Sequence, residues 1–360
     1  MPFHLIQADN VSEALHTALN IASAKGQLIQ TRNGPAYRIP GVVVTEYTNP
    51  MRRVLVNKER DANPFFHLME AFWIIEGRRD VRFLTLFNKR MADYSDNKSW
   101  FHAAYGYRMR RHFKVDQIAR AREKLAENKA DRQVVLSIWD PNVDNQKSLD
   151  IPCNDMLKFW VEDGALNLSV FNRSNDIIWG AYGANVVQFS VLLEYMAASL
   201  GLPVGTYYQV SNDLHVYTDT PYLEVWRNQK EADNERGLSY ELGTVIATSI
   251  FMGDYDRTVY DIKTMFDVFD AGVLAKVNDG HLIGRVATAA CEAKSVFFSS
   301  VVKPMMLAYH QHKRGDTSLG LRILSVALNQ YNERCDWLIA AHDWLSKRKK
   351  EVNDGQSHPA

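Results

Sequence analysis

Cysteine is scarce: Cys153, Cys291 and Cys335 are the only three in 360 residues. They are too few and too scattered for a disulfide framework or a structural zinc site, so no metal is expected. An excess of charge of either sign is missing too, since 42 Lys+Arg balance 42 Asp+Glu. Zero net charge removes the bulk electrostatic footprint of a nucleic-acid binder and leaves only a local basic groove open. No apolar run approaches the roughly 20 residues of a membrane span, and Met1–Asn10 lacks the basic-then-apolar layout of a secretory signal. Internal repeats, low-complexity tracts, a Walker-type phosphate loop and a Gly-rich dinucleotide fingerprint are all absent. These absences leave a cytoplasmic globular protein that needs neither membrane nor nucleic acid.

Core material is plentiful, with 46% hydrophobic residues against 23% charged and with 8 Trp, 16 Tyr and 16 Phe. The length suits about two domains, or one large one with an appendage. Gly41–Tyr47 is β-branched and closes on the turn signal Asn49-Pro50. Pro64 opens an apolar stretch, Phe65–Ile75, that ends at Gly77; proline inside the start and glycine past the end fit a buried helix. Ile118–Lys129 reads as a charged surface helix, and Gln133–Trp139 as a strand closed by Asp140-Pro141. Phe159–Val161 and Ala165–Phe171 flank Asp163-Gly164, a hairpin signal. A helix over Asn185–Leu200 and a strand over Gly205–Val210 follow. Beyond about residue 235 the pattern turns helical, with Val259–Leu274, Ile283–His312 and Ser318–Leu345 reading as helices and Lys347–Ala360 as a fraying tail. His310 and His312 read as surface residues, and Lys347–Lys350 as a solvated helix end.

Cys153 has the clearest chemistry. It follows Pro152 between two strand runs, where a thiol can be exposed, and a neighbouring Arg would lower its pKa and raise its thiolate fraction. Asn172-Arg173-Ser174-Asn175-Asp176 offers a guanidinium fork and a hydroxyl that suit a phosphate. Taken alone, the same cysteine reads as a small buried hydrophobe.

The ordered series around it says more. Asp131-Arg132-Gln133, Ser137-Ile138-Trp139, Pro152-Cys153, Asp163-Gly164, Asn172–Asp176, Gly180, Asn185, Gly205 and Asp213-Leu214-His215-Val216-Tyr217 follow one another with particular spacings. Upstream stand Glu70-Ala71-Phe72-Trp73, Gly77 and Tyr105-Gly106. In this order and spacing the chain resembles the thymidylate synthase family over roughly residues 28–220, apart from one extra residue between Gly180 and Asn185. The resemblance implies an α+β fold: a thymidylate-synthase-like mixed β-sheet body with flanking helices, here followed by an all-helical C-terminal extension. The expected division is a catalytic domain over 1–235, a helical region over 236–350 and a flexible tail over 351–360.

The resemblance also implies a mechanism. Cys153 would add to C6 of a pyrimidine nucleoside monophosphate, making C5 a nucleophile toward the methylene of 5,10-methylenetetrahydrofolate. Glu70 would manage proton transfers through water, Tyr105 would position the base and its labile protons, and Asp176 would contact the folate pterin or its waters. Phosphate binding would fall to Arg173, Ser174 and either Arg32 or Arg38, with Arg132 reaching in from the second subunit of a homodimer. Gln133 stands where the family usually has a second arginine. His215 and Tyr217, two apart on a strand and so on one face, would hold the sugar 3′-hydroxyl. Asn185 would read the base, because an amide that donates and accepts matches O4 and N3–H of uracil while cytosine presents the reverse. The chemistry is coherent by itself: C5 of uracil is a poor nucleophile until an electron-rich group adds across the 5,6 bond.

Two products are open, methyl if folate supplies hydride and hydroxymethyl if water adds, so the choice turns on water access. Three departures from the family favour water. More than a hundred helical residues replace the usual short C-terminal lid, Ser211-Asn212-Asp213 stands for Gly-Gly-Asp, and Asn154 stands for the usual His after the nucleophile. The Asn172–Asp176 and Trp179–Asn185 segments also resemble the phage-type enzymes. The expectation is hydroxymethylation of dUMP, in the host cytoplasm if the protein is viral. Thymidylate synthase is the alternative. A dCMP or CMP hydroxymethylase and a nucleotide-binding homologue without turnover are further ones.

Overall fold

A computed structural model describes residues 3–228, 240–331 and 333–353. β1 (Phe3–Ala8) leads into α1 (Val11–Lys25), whose Asn10 cap accepts from Glu13 N at 3.0 Å. β2 (Gln27–Thr31) and β3 (Gly34–Arg38) form a hairpin with Arg32 and Asn33 at its turn, and β4 (Val42–Tyr47) follows. α2 (Pro64–Ile75) starts as its sequence demands: Asn63 accepts from Phe66 N at 3.1 Å, Pro64 fills the first turn, and Gly77 at φ +65° ends the run. Every residue of α2 except His67 is buried, because a helix that is apolar all round must be covered on all sides.

α3 (Val81–Thr85) and the short α4 (Tyr105–Tyr107) come next, α4 running into a π turn over Arg108–His112 before α5 (Gln117–Glu127). β5 (Val135–Ser137) is an edge strand beside the hairpin β6 (Asn154–Glu162) and β7 (Ala165–Asn172), which turns at Asp163 (φ +50°) and Gly164 (φ +75°). Two left-handed turn residues match the twist of the flanking strands. β8 (Asn175–Asp176), a π turn over Ile177–Asn185, α6 (Val186–Ser199), β9 (Val204–Ser211), β10 (Leu214–Tyr217) and α7 (Pro221–Asn228) complete the body. The helices that follow are α8 (Tyr255–Leu274), α9 (Asp279–Glu292), α10 (Lys303–Lys313), α11 (Thr317–Tyr331) and α12 (Asp336–Asn353).

The strands form a six-stranded mixed sheet in the order β1-β4-β9-β7-β6-β5 and a four-stranded sheet in the order β2-β3-β10-β8. α6 packs on β7, on β9 and on α2, so one face of the large sheet is covered. The other face carries exposed Phe3, Leu5, Val42, Val135 and Met156. The α+β class and the helical C-terminal region are as the sequence implies.

One continuous hydrophobic cluster runs from Ile6 in β1 to Leu345 in α12, so the C-terminal helices share a core with the body. Phe65 of α2 packs on Tyr309 and Trp344 (centroids 4.9 and 5.5 Å), and Phe83 of α3 on Phe266 (4.7 Å). A buried ion pair joins Arg53 to Glu194, and the other oxygen of Glu194 accepts from Ser249 Oγ at 2.7 Å and Phe251 N at 2.9 Å.

Several sequence expectations need correction. The Ile283–His312 helix is broken where Asp261 accepts from Lys294 N and Ser295 N (3.1 and 2.8 Å), and it resumes through a π turn at Phe298–Val302. The Ser318–Leu345 helix is interrupted where Cys335 pairs with Ile246 in an isolated β-bridge. The strand expected over Gln133–Trp139 shrinks to three residues: at one end Asp131 takes Gln133 N at 2.6 Å, and at the other Ile138 N and Trp139 N both converge on Asp155 O at 2.9 and 3.0 Å. His312 is packed rather than superficial: its ring meets Trp344 edge-on at 5.7 Å, Nδ1 contacts Thr317 Oγ1 at 2.9 Å, and burial pushes its pKa down to about 4. In the basic run, Arg348 is docked on Asp61 at 2.7 and 3.1 Å. The boundary expected at residue 235 and tail residues 354–360 lie outside the described residues.

Candidate active site

A cleft of about 650 Å³ opens between the β2–β3 turn, the Cys153 loop and the strands β8 and β10. Its wall includes Arg32, Tyr105, Cys153, Arg173, Ser174, Asp176, Asn185, His215 and Tyr217. Nine of the expected residues, drawn from distant parts of the chain, therefore meet in one place. Glu70 and Arg132 do not line it. Glu70 is buried on α2, and Arg132 is exposed just ahead of the edge strand β5. Arg38 is also outside the wall, its guanidinium 3.7 Å from Asp213, so Arg32 is the cleft arginine of that pair.

Arg173 organises the nucleophile loop. Its backbone N donates to Cys153 O at 3.0 Å, Nε to Pro152 O at 2.7 Å and Nη2 to Ile151 O at 3.1 Å, and Nη2 stands 3.8 Å from Cys153 Sγ. The expected downward pull on the thiol is present from Arg173 and Arg32, but burial outweighs it and holds the Cys153 pKa above its ordinary value. The sequence expectation is right about the sign of the arginine effect and wrong about the net.

Tyr105 stacks on Phe189 with centroids 6.0 Å apart. Burial, with the neighbouring Cys153 and Asp150, pushes its phenol well up, so it stays a hydrogen-bond donor at neutral pH. Glu70 is held by Gln188 Nε2 at 2.8 Å, and burial raises its carboxyl to about 7. His215 and Tyr217 do share a face, with ring centroids 5.1 Å apart, and Asp213 fixes the imidazole through Nδ1 at 2.8 Å.

The stretch before Asn185, where the sequence implies one extra residue, folds as a π turn over Ile177–Asn185, whose i→i+5 hydrogen-bonded rings each hold one residue more than those of an α-helix. Tyr182 takes the non-helical backbone within that turn, and its buried hydroxyl pairs with Thr45 Oγ1 at 2.8 Å. Asn185 thus still reaches the cleft.

At one side of the cleft Asp176 uses one carboxylate oxygen to accept from Trp179 N, while Oδ2 is buried without a partner in the protein. Trp179 is 54% exposed, and Arg60 lies 5.1 Å from its ring centroid. The exposed Trp179 indole, next in sequence to the cleft residue Gly180, suits stacking by a flat heteroaromatic ring. Among the described residues no cluster of His, Cys, Asp and Glu could hold a metal ion, and no helix is long and apolar enough to cross a membrane.

Three residues of the site were not singled out from sequence. Gln188 sits three positions beyond Asn185, and Asn175 lies inside the Arg173–Asp176 motif, so helical and motif spacing could have flagged both. Asp213 is two residues before His215, just ahead of β10, near enough in the chain for its carboxylate to reach the imidazole.

Known proteins of similar sequence point the same way. The family profile described as thymidylate synthase matches residues 47–239. A protein named deoxyuridylate hydroxymethyltransferase, from Pseudomonas phage M6, is 37% identical over 353 residues, which is 96% of this chain and 94% of that protein. One of the same name from Bacillus phage SP01 is 44% identical over 189 residues, 49% of each chain. A putative thymidylate synthase of Methanosarcina barkeri is 31% identical over 214 residues, 59% of this chain and 89% of the relative. The chain belongs to the thymidylate synthase family, and with that membership comes folate-dependent one-carbon transfer to a nucleotide.

Proposed function

We propose that this protein hydroxymethylates C5 of dUMP, with 5,10-methylenetetrahydrofolate as the one-carbon donor and water as the terminal nucleophile. The observation that carries the reading is the end-to-end similarity, C-terminal helices included, to a phage protein named for that reaction on deoxyuridylate. The cleft supports it by bringing Cys153, Tyr105, Arg173, Asn185, His215 and Tyr217 to one wall.

In this reading Arg173 and Ser174 bind the phosphate. Nε and Nη2 of Arg173 are occupied by loop carbonyls, which leaves Nη1 for a phosphate oxygen. Arg32 adds a second cation from the β2–β3 turn. His215 and Tyr217 hold the 3′-hydroxyl, and Asn185 pairs with O4 and N3–H of uracil. Cys153 adds to C6 as thiolate, its proton passing to water in the cleft as the base binds, since burial keeps the free thiol protonated. Tyr105 donates a hydrogen bond near the reacting edge. Glu70, titrating near neutrality, accepts the C5 proton through water and passes it on. The reduced folate supplies the one-carbon unit when bound, and Asp176 and the face of Trp179 are the residues suited to hold its pterin.

The open face of the six-stranded sheet is the surface we assign to a homodimer. Arg132, exposed just ahead of the edge strand β5, would complete the phosphate site of the partner subunit. We also take residues 1–235 as the catalytic unit, with 236–350 as a helical cover.

Product analysis by mass spectrometry tests the reading. The protein is incubated with methylenetetrahydrofolate and, separately, dUMP, dCMP and their ribonucleotides. A hydroxymethyl product from dUMP with tetrahydrofolate released is expected. A methyl product with dihydrofolate would make the enzyme a thymidylate synthase and remove water from the last step. Absence of any product, and of a covalent Cys153 adduct with 5-fluoro-dUMP, would leave only nucleotide binding.

A further inference from the structure

Asn185 does not stand alone in the cleft wall. Its Nδ2 donates to Asn175 Oδ1 at 3.2 Å, and both side chains are buried. Asn175 Nδ2 reaches Ser211 Oγ at 3.5 Å, which ties the amide to β9. The backbone of Asn175 is anchored as well: its N donates to Asp213 O at 2.7 Å, and β8 pairs with β10 through Asn175 and Leu214.

Gly180 closes the remaining side. A Cβ on Gly180 would stand 2.5 Å from Asn175 Oδ1 and 3.7 Å from Asn185 Nδ2, so only hydrogen fits there. A C–H group tolerates a carbonyl oxygen at close range but repels the hydrogens of an NH2 group. The contact therefore favours Asn175 with its oxygen, not its nitrogen, toward Gly180 and Asn185.

This has a consequence for base recognition. One N–H of Asn185 is committed to Asn175, which leaves the other N–H and Oδ1 for the cleft. That pair complements O4 and N3–H of uracil. To read cytosine the Asn185 amide would have to turn over, setting its Oδ1 against Asn175 Oδ1 with no hydrogen between two buried acceptors. We propose that Asn175 is a specificity-determining residue: it holds the Asn185 amide in the orientation that selects uracil over cytosine. The inference rests on the reading of the cleft as a dUMP site.

The test is the ratio of kcat/KM for dUMP to that for dCMP in the full chain and in Asn175→Ala, with dCMP read as a competitive ligand where it is not turned over. Loss of the acceptor is expected to lower the ratio by about tenfold or more, the scale of a mispaired buried polar group. Asn175→Asp keeps an acceptor toward Asn185 and is expected to restore most of the preference. A purely structural role would lower both substrates in parallel and leave the ratio unchanged, which would overturn the inference. If Asn175→Ala fails to fold, Gly180→Ala gives the same reading, because its methyl group displaces Asn175 Oδ1. A wild-type protein that prefers dCMP would defeat the reading of the cleft. A wild-type preference for dUMP that survives in the variants would defeat the role of Asn175 alone.

Discussion

Gln188 Nε2 donates to Glu70 Oε2 at 2.8 Å across the packing of α6 on α2, and the other Gln188 side-chain atom, Oε1, is buried with no protein partner. The bond favours the ionised carboxylate while burial disfavours it more strongly, and the balance leaves Glu70 near 7. A group that titrates at the working pH can both take and return a proton. The unpaired Oε1 beside it is a ready acceptor for an ordered water.

Gln188→Leu removes the one interaction that pulls the Glu70 pKa down. The acid limb of the kcat/KM profile is expected to move to higher pH, with binding of dUMP little changed. A profile that stays in place would separate that limb from Glu70.

Glu70 also links stability to pH. The folded protein keeps this proton up to about 7 while the unfolded chain releases it near 4.5, so the folded state binds more protons in that window. Its contribution is intact below about 4.5 and is lost as pH rises through 7, by up to about 3 kcal/mol. Glu70→Gln is expected to melt higher than wild type at pH 8, to lose that advantage at pH 4, and to lose most turnover. Thermal melts at the two pH values, beside an activity assay, check both parts.

Cys153→Ser is expected to abolish the covalent complex with 5-fluoro-dUMP and methylenetetrahydrofolate while the protein still binds dUMP. In the free wild-type protein, alkylation of Cys153 by iodoacetamide should be slow at neutral pH and accelerate above 9, because burial holds the thiol up. Arg173→Ala should shift that acceleration further upward. Fast alkylation at pH 7 would contradict the burial argument.

Glu194 ties the body to the turn that carries Ser249 and Phe251. Glu194→Ala leaves Arg53 buried without its paired carboxylate and two backbone N–H groups unpaired. A loss of about 3–5 kcal/mol is expected in denaturant unfolding, with the C-terminal helices loosened together with the body. Unfolding in two separated steps in the wild type would argue that the two parts do not share the core described above.

Much of the fold follows from local chemistry. The limits of α2 are set by Asn63, Pro64 and Gly77, and the β6–β7 turn by Asp163-Gly164, because capping and left-handed turns depend on neighbours in the chain. The residues of the cleft were legible for a different reason: their order and spacing resemble the thymidylate synthase family, which implied where each would stand. What could not be read were the effects that depend on what surrounds a group. The net rise of the Cys153 pKa is set by how deeply its loop is buried, against two arginines of known sign. The break at Lys294–Ser295 is set by Asp261 from another helix, and His312 is covered by Trp344 from a third.

The sequence alone determined the residue types that line the cleft, their order, and most of the helices and turns that present them, since all of these are properties of the chain over short distances. Only the tertiary structure decided which way the Asn185 amide faces, that Glu70 titrates near neutrality, and that the C-terminal helices share one core with the catalytic body. Each of these depends on a partner remote in sequence from the group it acts on or on burial by several elements at once, and desolvation and hydrogen-bond geometry exist only after those parts have come together.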